Sequence, residues 1–287
     1  MRLVDETEAD LRALIENDFG PLDPSVDLWD ASLDWIHYRA RRIPQRPRQV
    51  TMSNEVESHR STYPAFDQIA SQLRMGEDVT PWLSDTIGRK RTDPKADLMF
   101  NDWQIIHFHL GNVFATPNKI ARTSDLLFAY ITDDRSVFIN VLPHGSWTMQ
   151  ALLEILLHTS PSDMERSELK NVVGVSHHYT ADEVYTLRKS GVNAAFEIDN
   201  RIFMAPGFGI TSSRHAARST FYLMKLRRAL KSVLAAIEKN ELPVHLMSMI
   251  SADLSLPVRV GIRMEGGHLI FYDKNRQIDL MYMPALE

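Results

Sequence analysis

His107 and His109 stand two positions apart in the run Asp102-Trp103-Gln104-Ile105-Ile106-His107-Phe108-His109-Leu110-Gly111. Read at period two, this run is a strand with both imidazoles on one side and Ile106, Phe108 and Leu110 on the other. That alternation predicts an apolar face against helices and a polar face lining a cleft. Two side chains at i and i+2 sit roughly 6 to 7 Å apart at Cα. Such a pair suits a phosphodiester held between them: one ring takes a proton from the attacking hydroxyl, the other gives one to the leaving oxygen. Histidine fits both tasks because its ordinary pKa, about 6.5, leaves both protonation states available near neutrality.

The same spacing also suits two ligands on one metal, and either chemistry needs a third group. Arg122 and His144 are the candidates. Arg122 precedes a second strand, and a preorganised guanidinium would stabilise a pentacoordinate phosphate. His144 follows a third strand, and counting by twos puts it on the side of Phe138 and Asn140. Other motifs carry less. His177-His178-Tyr179 reads as a polar loop before a helix. Gly207-Phe208-Gly209 leads toward a helix, but it has neither the Gly-x-Gly-x-x-Gly spacing nor a P-loop ending. No serine lies in Gly-x-Ser-x-Gly.

The elements that must position these groups follow from periodicity. Helices are expected over Thr7–Asn17, Asp27–Arg41, Pro64–Met75, Thr80–Gly88, Ser146–His158, Thr180–Ser190 and Ser212–Lys239. Strands are expected over Gln104–Leu110, Leu126–Thr132, Ser136–Leu142, Ala195–Ile198, Arg201–Met204, Val258–Met264, His268–Asp273 and Ile278–Tyr282. Asp133-Asp134-Arg135 and Asp199-Asn200 read as hairpin turns. Ile43–Pro64 and Asn112–Thr123 read as irregular connectors. The fold class is α+β: a helical N-terminal part, a central antiparallel sheet with flanking helices, then a long C-terminal helix with a small antiparallel sheet. The expected divisions are 1–63, 64–160 and 161–287.

Composition narrows the function classes. Of 287 residues, 44% are hydrophobic and 24% charged, enough for a sizeable core. No cysteine is present, which excludes disulfides, zinc–cysteine sites and thiol nucleophiles. No apolar run reaches membrane-span length and the N-terminal residues do not resemble a secretory signal, so a cytoplasmic protein is expected. A net charge of −5 argues against a general nucleic-acid coat, yet basic clusters exist at Arg39, Arg41, Arg42, Arg46 and Arg48, and again at Arg89-Lys90-Arg91. Arg39, Arg41, Arg42, Arg89, Lys90 and Arg91 are the candidate RNA contacts, against the plainer reading of a solvated linker.

The order Leu110-Gly111, a loop, Arg122, the paired segments Leu126–Thr132 and Ser136–Val141, then His144 resembles the sheet of RelE/ParE-type toxins, within the wider barnase/EndoU/colicin-like ribonuclease fold. The resemblance spans about residues 64–158 and rests on pattern. It implies helices at Pro64–Gly88, an arginine at Arg122 opening a central strand, and RNA cleavage. Paired histidines depart from typical RelE and are closer to EndoU-like members. The leading expectation is therefore a metal-independent, cofactor-free endoribonuclease of the toxin or defence type, with His107 and His109 as base and acid. Arg122 and His144 would hold charge, and RNA with an antitoxin or other protein would be the partners. Two alternatives stay open: a metal-dependent hydrolase using His107, His109 and His144, and a non-catalytic interaction protein.

Overall fold

The computed structural model describes residues 2–84, 87, 98–146, 150–253 and 255–284. In chain order the elements are β1 (Leu3–Asp5), α1 (Thr7–Phe19), α2 (Leu28–Ala40), β2 (Gln49–Met52), α3 (Asn54–Ser58), α4 (Ala65–Met75), α5 (Leu98–Trp103) and β3 (Ile105–His109). Next come β4 (Phe114–Thr116), β5 (Lys119–Ile120), β6 (Asp125–Ile131), β7 (Arg135–Pro143), α6 (Ala151–Thr159), α7 (Pro161–Glu165) and α8 (Ala181–Lys189). The chain ends with β8 (Ala195–Ile198), β9 (Arg201–Met204), α9 (Ala217–Glu238), α10 (Val244–Ser251), β10 (Val258–Glu265), β11 (His268–Asp273) and β12 (Ile278–Tyr282). The class is α+β. It divides into two compact units, residues 41–218 and residues 1–40 with 219–287, in place of the three consecutive segments expected.

The unit of residues 41–218 is built on a sheet of order β2-β7-β6-β3. β6 and β7 form the expected hairpin, and β3 runs antiparallel to β6 with His107 opposite Phe128 and His109 opposite Leu126. The sheet is not wholly antiparallel: β2 pairs parallel with β7, from Gln49 opposite Arg135 to Met52 opposite Phe138. This corrects the reading of Ile43–Pro64 as an irregular connector. Four residues, two of them exposed, carry too little alternation to announce a strand. Helix α3 follows at once, with the Ser53 hydroxyl accepting from the Val56 N–H at 3.1 Å as its cap.

Both faces of this sheet are covered. Ile106, Phe108, Leu127, Ala129 and Phe138 pack against α3, α4 and Trp82. Ile105, Leu126, Phe128, Tyr130, Val137 and Ile139 pack against the leucines of α6 and against Phe196 and Phe203 of the β8–β9 hairpin. Burial of each large apolar side chain favours this arrangement by about 1.5–3 kcal/mol. The hairpin itself turns through Asp199 and Asn200, with φ of 51° and 58°, the left-handed pair a tight two-residue turn requires.

Several expected elements differ in extent; the helix expected over Ser146–His158 is observed as α6 from Ala151, and residues 147–149 lie outside the described residues. Asn112–Thr123 is not structureless, because β4 and β5 pair within it. Thr80–Gly88 forms a 3-10 turn over Thr80–Trp82, and residues 85, 86 and 88 lie outside the described residues. Helix α9 begins at Ala217 and not at Ser212, so Gly207–Ser213 is a separate turn.

In the other unit the sheet order is β1-β10-β11-β12, with β1 parallel to β10 and the remaining pairs antiparallel. Leu11, Ile15, Trp35 and Ile36 of the N-terminal helices share one core with Leu226, Ile237, Val260 and Phe271. Among the described residues no helix is long and apolar enough to cross a membrane.

Candidate functional site

β3 places the two histidines as period two requires. Their rings lie on one side of the strand, edge to face, with centroids 6.1 Å apart. That side is not a wet face along its length. Ile105, Leu126 and Phe128 on it belong to the second apolar core, so the imidazoles stand at the margin of that core. His109 is buried, at 6% exposure, and His107 is partly buried beside the Phe128 ring, 6.2 Å away. Burial pulls the His107 pKa down to about 3, and the charges of His109, His144 and Arg122 add to the effect. The other three residues singled out from sequence thus come near enough to act on His107.

The approach of His144 depends on a defect in the ladder. Phe138 lies opposite Ala129 and Asn140 opposite Phe128, which leaves Ile139 as an extra residue in β7. A β-bulge of this kind reverses the facing of every later residue. Simple alternation puts Phe138 and Asn140 on one side. In the structure Phe138 belongs to the core under α4, while Asn140 and Leu142 lie opposite Phe128 and Leu126, on the histidine side. The Asn140 side chain accepts from the Val141 N–H at 2.8 Å, holding the bulge. The His144 N–H then donates to the Ser124 carbonyl at 2.8 Å, which ties exposed His144 to the start of β6.

Thr123 is the site residue that period and charge did not reveal. Its backbone N–H donates to His109 Nδ1 at 3.3 Å, and its hydroxyl accepts from the Leu110 N–H at 2.9 Å while donating to the Asp125 carbonyl at 2.6 Å. Nδ1 of His109 serves as the acceptor whenever the ring is neutral. Arg122, beside it, is exposed and donates to the Leu83 carbonyl at 3.2 Å. Gly111 lets these segments meet, because a Cβ there would fall 2.2 Å from the Ala121 carbonyl oxygen.

The arginine run 39–48 is not a solvated arm. Arg39 pairs with Asp18 at 3.3 Å. Arg41 is buried, at 3% exposure, and Arg46 pairs with Asp133 at 2.8 Å. Arg48, also buried, donates to the carbonyls of Thr132, Pro44 and Arg46 at 2.7, 2.9 and 2.9 Å. These carbonyls replace the water a buried guanidinium would lose. Arg42 is exposed. Arg89, Lys90 and Arg91 lie outside the described residues. His177 faces Glu183 at 3.4 Å and His178 faces Glu197 at 3.9 Å, in the loop before α8.

A buried ion pair fixes the entry to β3. Asp102 and Arg188 have side chains 3% and 4% exposed and are in direct contact. Burial lifts the Asp102 pKa to about 6 against the pull of Arg188. The Gly207 N–H donates to the Asp102 carbonyl at 2.9 Å, and a Cβ on Gly207 would fall 1.8 Å from the Asn101 carbonyl oxygen. These glycines serve close backbone packing, not a phosphate cradle. Among the described residues no group of three His, Asp or Glu side chains is placed to hold a metal ion. Comparison with protein-family models, with curated proteins and with solved structures gave no match.

Proposed function

We propose that the chain is an endoribonuclease that cleaves RNA by metal-independent acid–base catalysis at His107, His109, Arg122 and His144. One observation carries this reading: the rings of His107 and His109 lie 6.1 Å apart on one side of the edge strand β3, and His144 and Arg122 come close enough to act on His107 electrostatically. Such surroundings hold His107 neutral and are complemented by an anion. A phosphodiester entering them offsets the mutual repulsion and restores basicity to His107.

Neutral His107 takes the proton of the 2′-hydroxyl, and that oxygen bonds to phosphorus. The bond from phosphorus to the 5′ oxygen breaks, and this oxygen receives a proton from a second imidazole, leaving a 2′,3′-cyclic phosphate. His144 suits the acid role because it is exposed and follows β7 on the side of His107. His109 suits orientation, since its Nδ1 is engaged by the Thr123 N–H. Arg122 offsets charge on the phosphate. A toxin or defence role, a cytoplasmic location and an antitoxin-like partner belong to the same proposal.

The test is cleavage of single-stranded and structured RNA in excess chelator by the wild type, His107→Ala and His144→Ala. The expected result is cyclic-phosphate ends from the wild type and at least about a hundredfold loss in each variant. An inactive wild type, or an undiminished His107→Ala, overturns the proposal.

A further inference from the structure

Tyr130 of β6 is buried, at 4% exposure, yet its hydroxyl has one hydrogen-bonding role unfilled. The Arg166 guanidinium donates to the hydroxyl oxygen, and the hydroxyl's own hydrogen meets no acceptor among the described residues. Burial pushes the Tyr130 pKa above its ordinary value, so that hydrogen stays on the oxygen as a donor. Arg166 is exposed just after α7, and among the described residues its side chain donates only to Tyr130. Arg218 lies close enough to act on Tyr130 electrostatically, and the Gln104 side-chain oxygen, turned toward it, accepts from its guanidinium. The carboxylate that acts on the hydroxyl, Asp163, is neutralised by Arg135 at 2.9 Å and accepts from the Ser160 hydroxyl at 2.7 Å. Donors and positive charge therefore exceed acceptors at this place.

The complement is an anion with several acceptor oxygens. A carboxylate brings two oxygens and one charge. A phosphate brings more oxygens, enough to take the planar Arg166 fork and the Tyr130 hydrogen together. We propose that Arg166 and Tyr130 bind a phosphate group, with Arg218 supplying a second positive charge. No deep cavity is required, because Arg166 stands at the surface. The site shares a sheet face with the histidines: Tyr130 is opposite Ile105 and two residues from Phe128, which is opposite His107. Two residues along a strand span about 7 Å. Two sources carry this chemistry, the backbone of an RNA strand whose scissile phosphate lies at His107, and a free phosphate ion. The first source rests on the ribonuclease reading above, and the site itself does not.

Inorganic phosphate is the first probe, titrated by isothermal calorimetry at constant ionic strength maintained with chloride. The wild type should show one saturable site. Arg166→Gln, which loses charge-assisted bonds, should weaken it by at least about tenfold. Tyr130→Phe, which keeps the ring and loses the hydroxyl, should weaken it severalfold. Arg60→Gln, at an exposed ion pair with Asp67, should bind as the wild type does. A wild type without a saturable site would mean an adventitious ion only and overturns the assignment. Unchanged affinity in folded Arg166→Gln and Tyr130→Phe does the same, and equal competition by acetate overturns the choice of phosphate. Short single-stranded 2′-O-methyl RNA, which has no 2′-hydroxyl to attack, then separates the sources by fluorescence anisotropy over a salt series. With a backbone phosphate in the site, Arg166→Gln should lower the slope of log affinity against log salt by about one. Phosphate bound with that slope unchanged, or with no RNA bound, supports the site and assigns it to the free ion. Phosphate bound while RNA is never cut supports the site and overturns the ribonuclease reading alone.

Discussion

Asn140 stands opposite Phe128 across the β6–β7 ladder, although the next pair joins Phe138 to Ala129. The extra residue, Ile139, turns everything after it through one position, and His144 comes to the side of His107. Asn140 supports the irregular backbone by accepting from the Val141 N–H. Asn140→Ala should therefore cost about 1 kcal/mol in urea unfolding, the worth of one hydrogen bond. It should also raise the His107 pKa in an NMR titration, because His144 would no longer be held close. An unmoved His107 titration would separate the bulge from the placement of His144.

Acid stability gives a second prediction. The His107 pKa is about 3 in the folded chain against 6.5 ordinarily, so the folded state binds fewer protons than the unfolded state between those values. Its contribution is complete above pH 6.5, falls as the pH drops, and is exhausted near pH 3, with an upper limit of about 5 kcal/mol. His107→Gln cannot titrate and should show a shallower decline in unfolding free energy from pH 7 to pH 4 than the wild type. Parallel curves would contradict the burial of this ring.

Gly111→Ala tests the contact between β3 and the segment that carries Arg122 and Thr123. The added methyl would meet the Ala121 carbonyl and the Ile120 side chain, 2.5 Å away, and backbone cannot yield cheaply. The expected cost is about 1–3 kcal/mol in stability. RNA cleavage should fall at least about tenfold, since Thr123 would lose its hold on His109. Full activity at unchanged stability would show that the approach is not needed.

Arg188→Met leaves the Asp102 carboxyl buried without its cation. Loss of one partner of such a pair costs about 3–5 kcal/mol at neutral pH. The sign then follows from the raised Asp102 pKa: the penalty is present while the carboxyl is ionised and shrinks as acid protonates it. Urea unfolding of the variant at pH 7.5 and pH 5 should show the gap to wild type narrowing at the lower value. A gap that widens would rule out Asp102 as its cause.

Much of the fold was legible locally. The α+β class, the β6–β7 and β8–β9 hairpins, strands β10 to β12 and the capped start of α8 at Thr180 follow from neighbours within a few residues. The shared side of His107 and His109 is of the same kind, because a strand alternates whatever covers it. The parallel edge strand β2 and the small β4–β5 pair were not legible, since four-residue and shorter segments gain their order from the strand they meet.

Residue types and spacing alone therefore determined the class, the hairpins and the pairing of imidazoles on β3. Only the folded chain decided that both sheet faces are covered, that a bulge brings His144 round, and that Arg41 and Arg48 are buried instead of lining a basic arm. It also decided that the N-terminal helices share a core with the last three strands. The physical reason is range. Backbone periodicity is written in adjacent residues, whereas desolvation, ladder register and charge proximity depend on segments far apart in the chain.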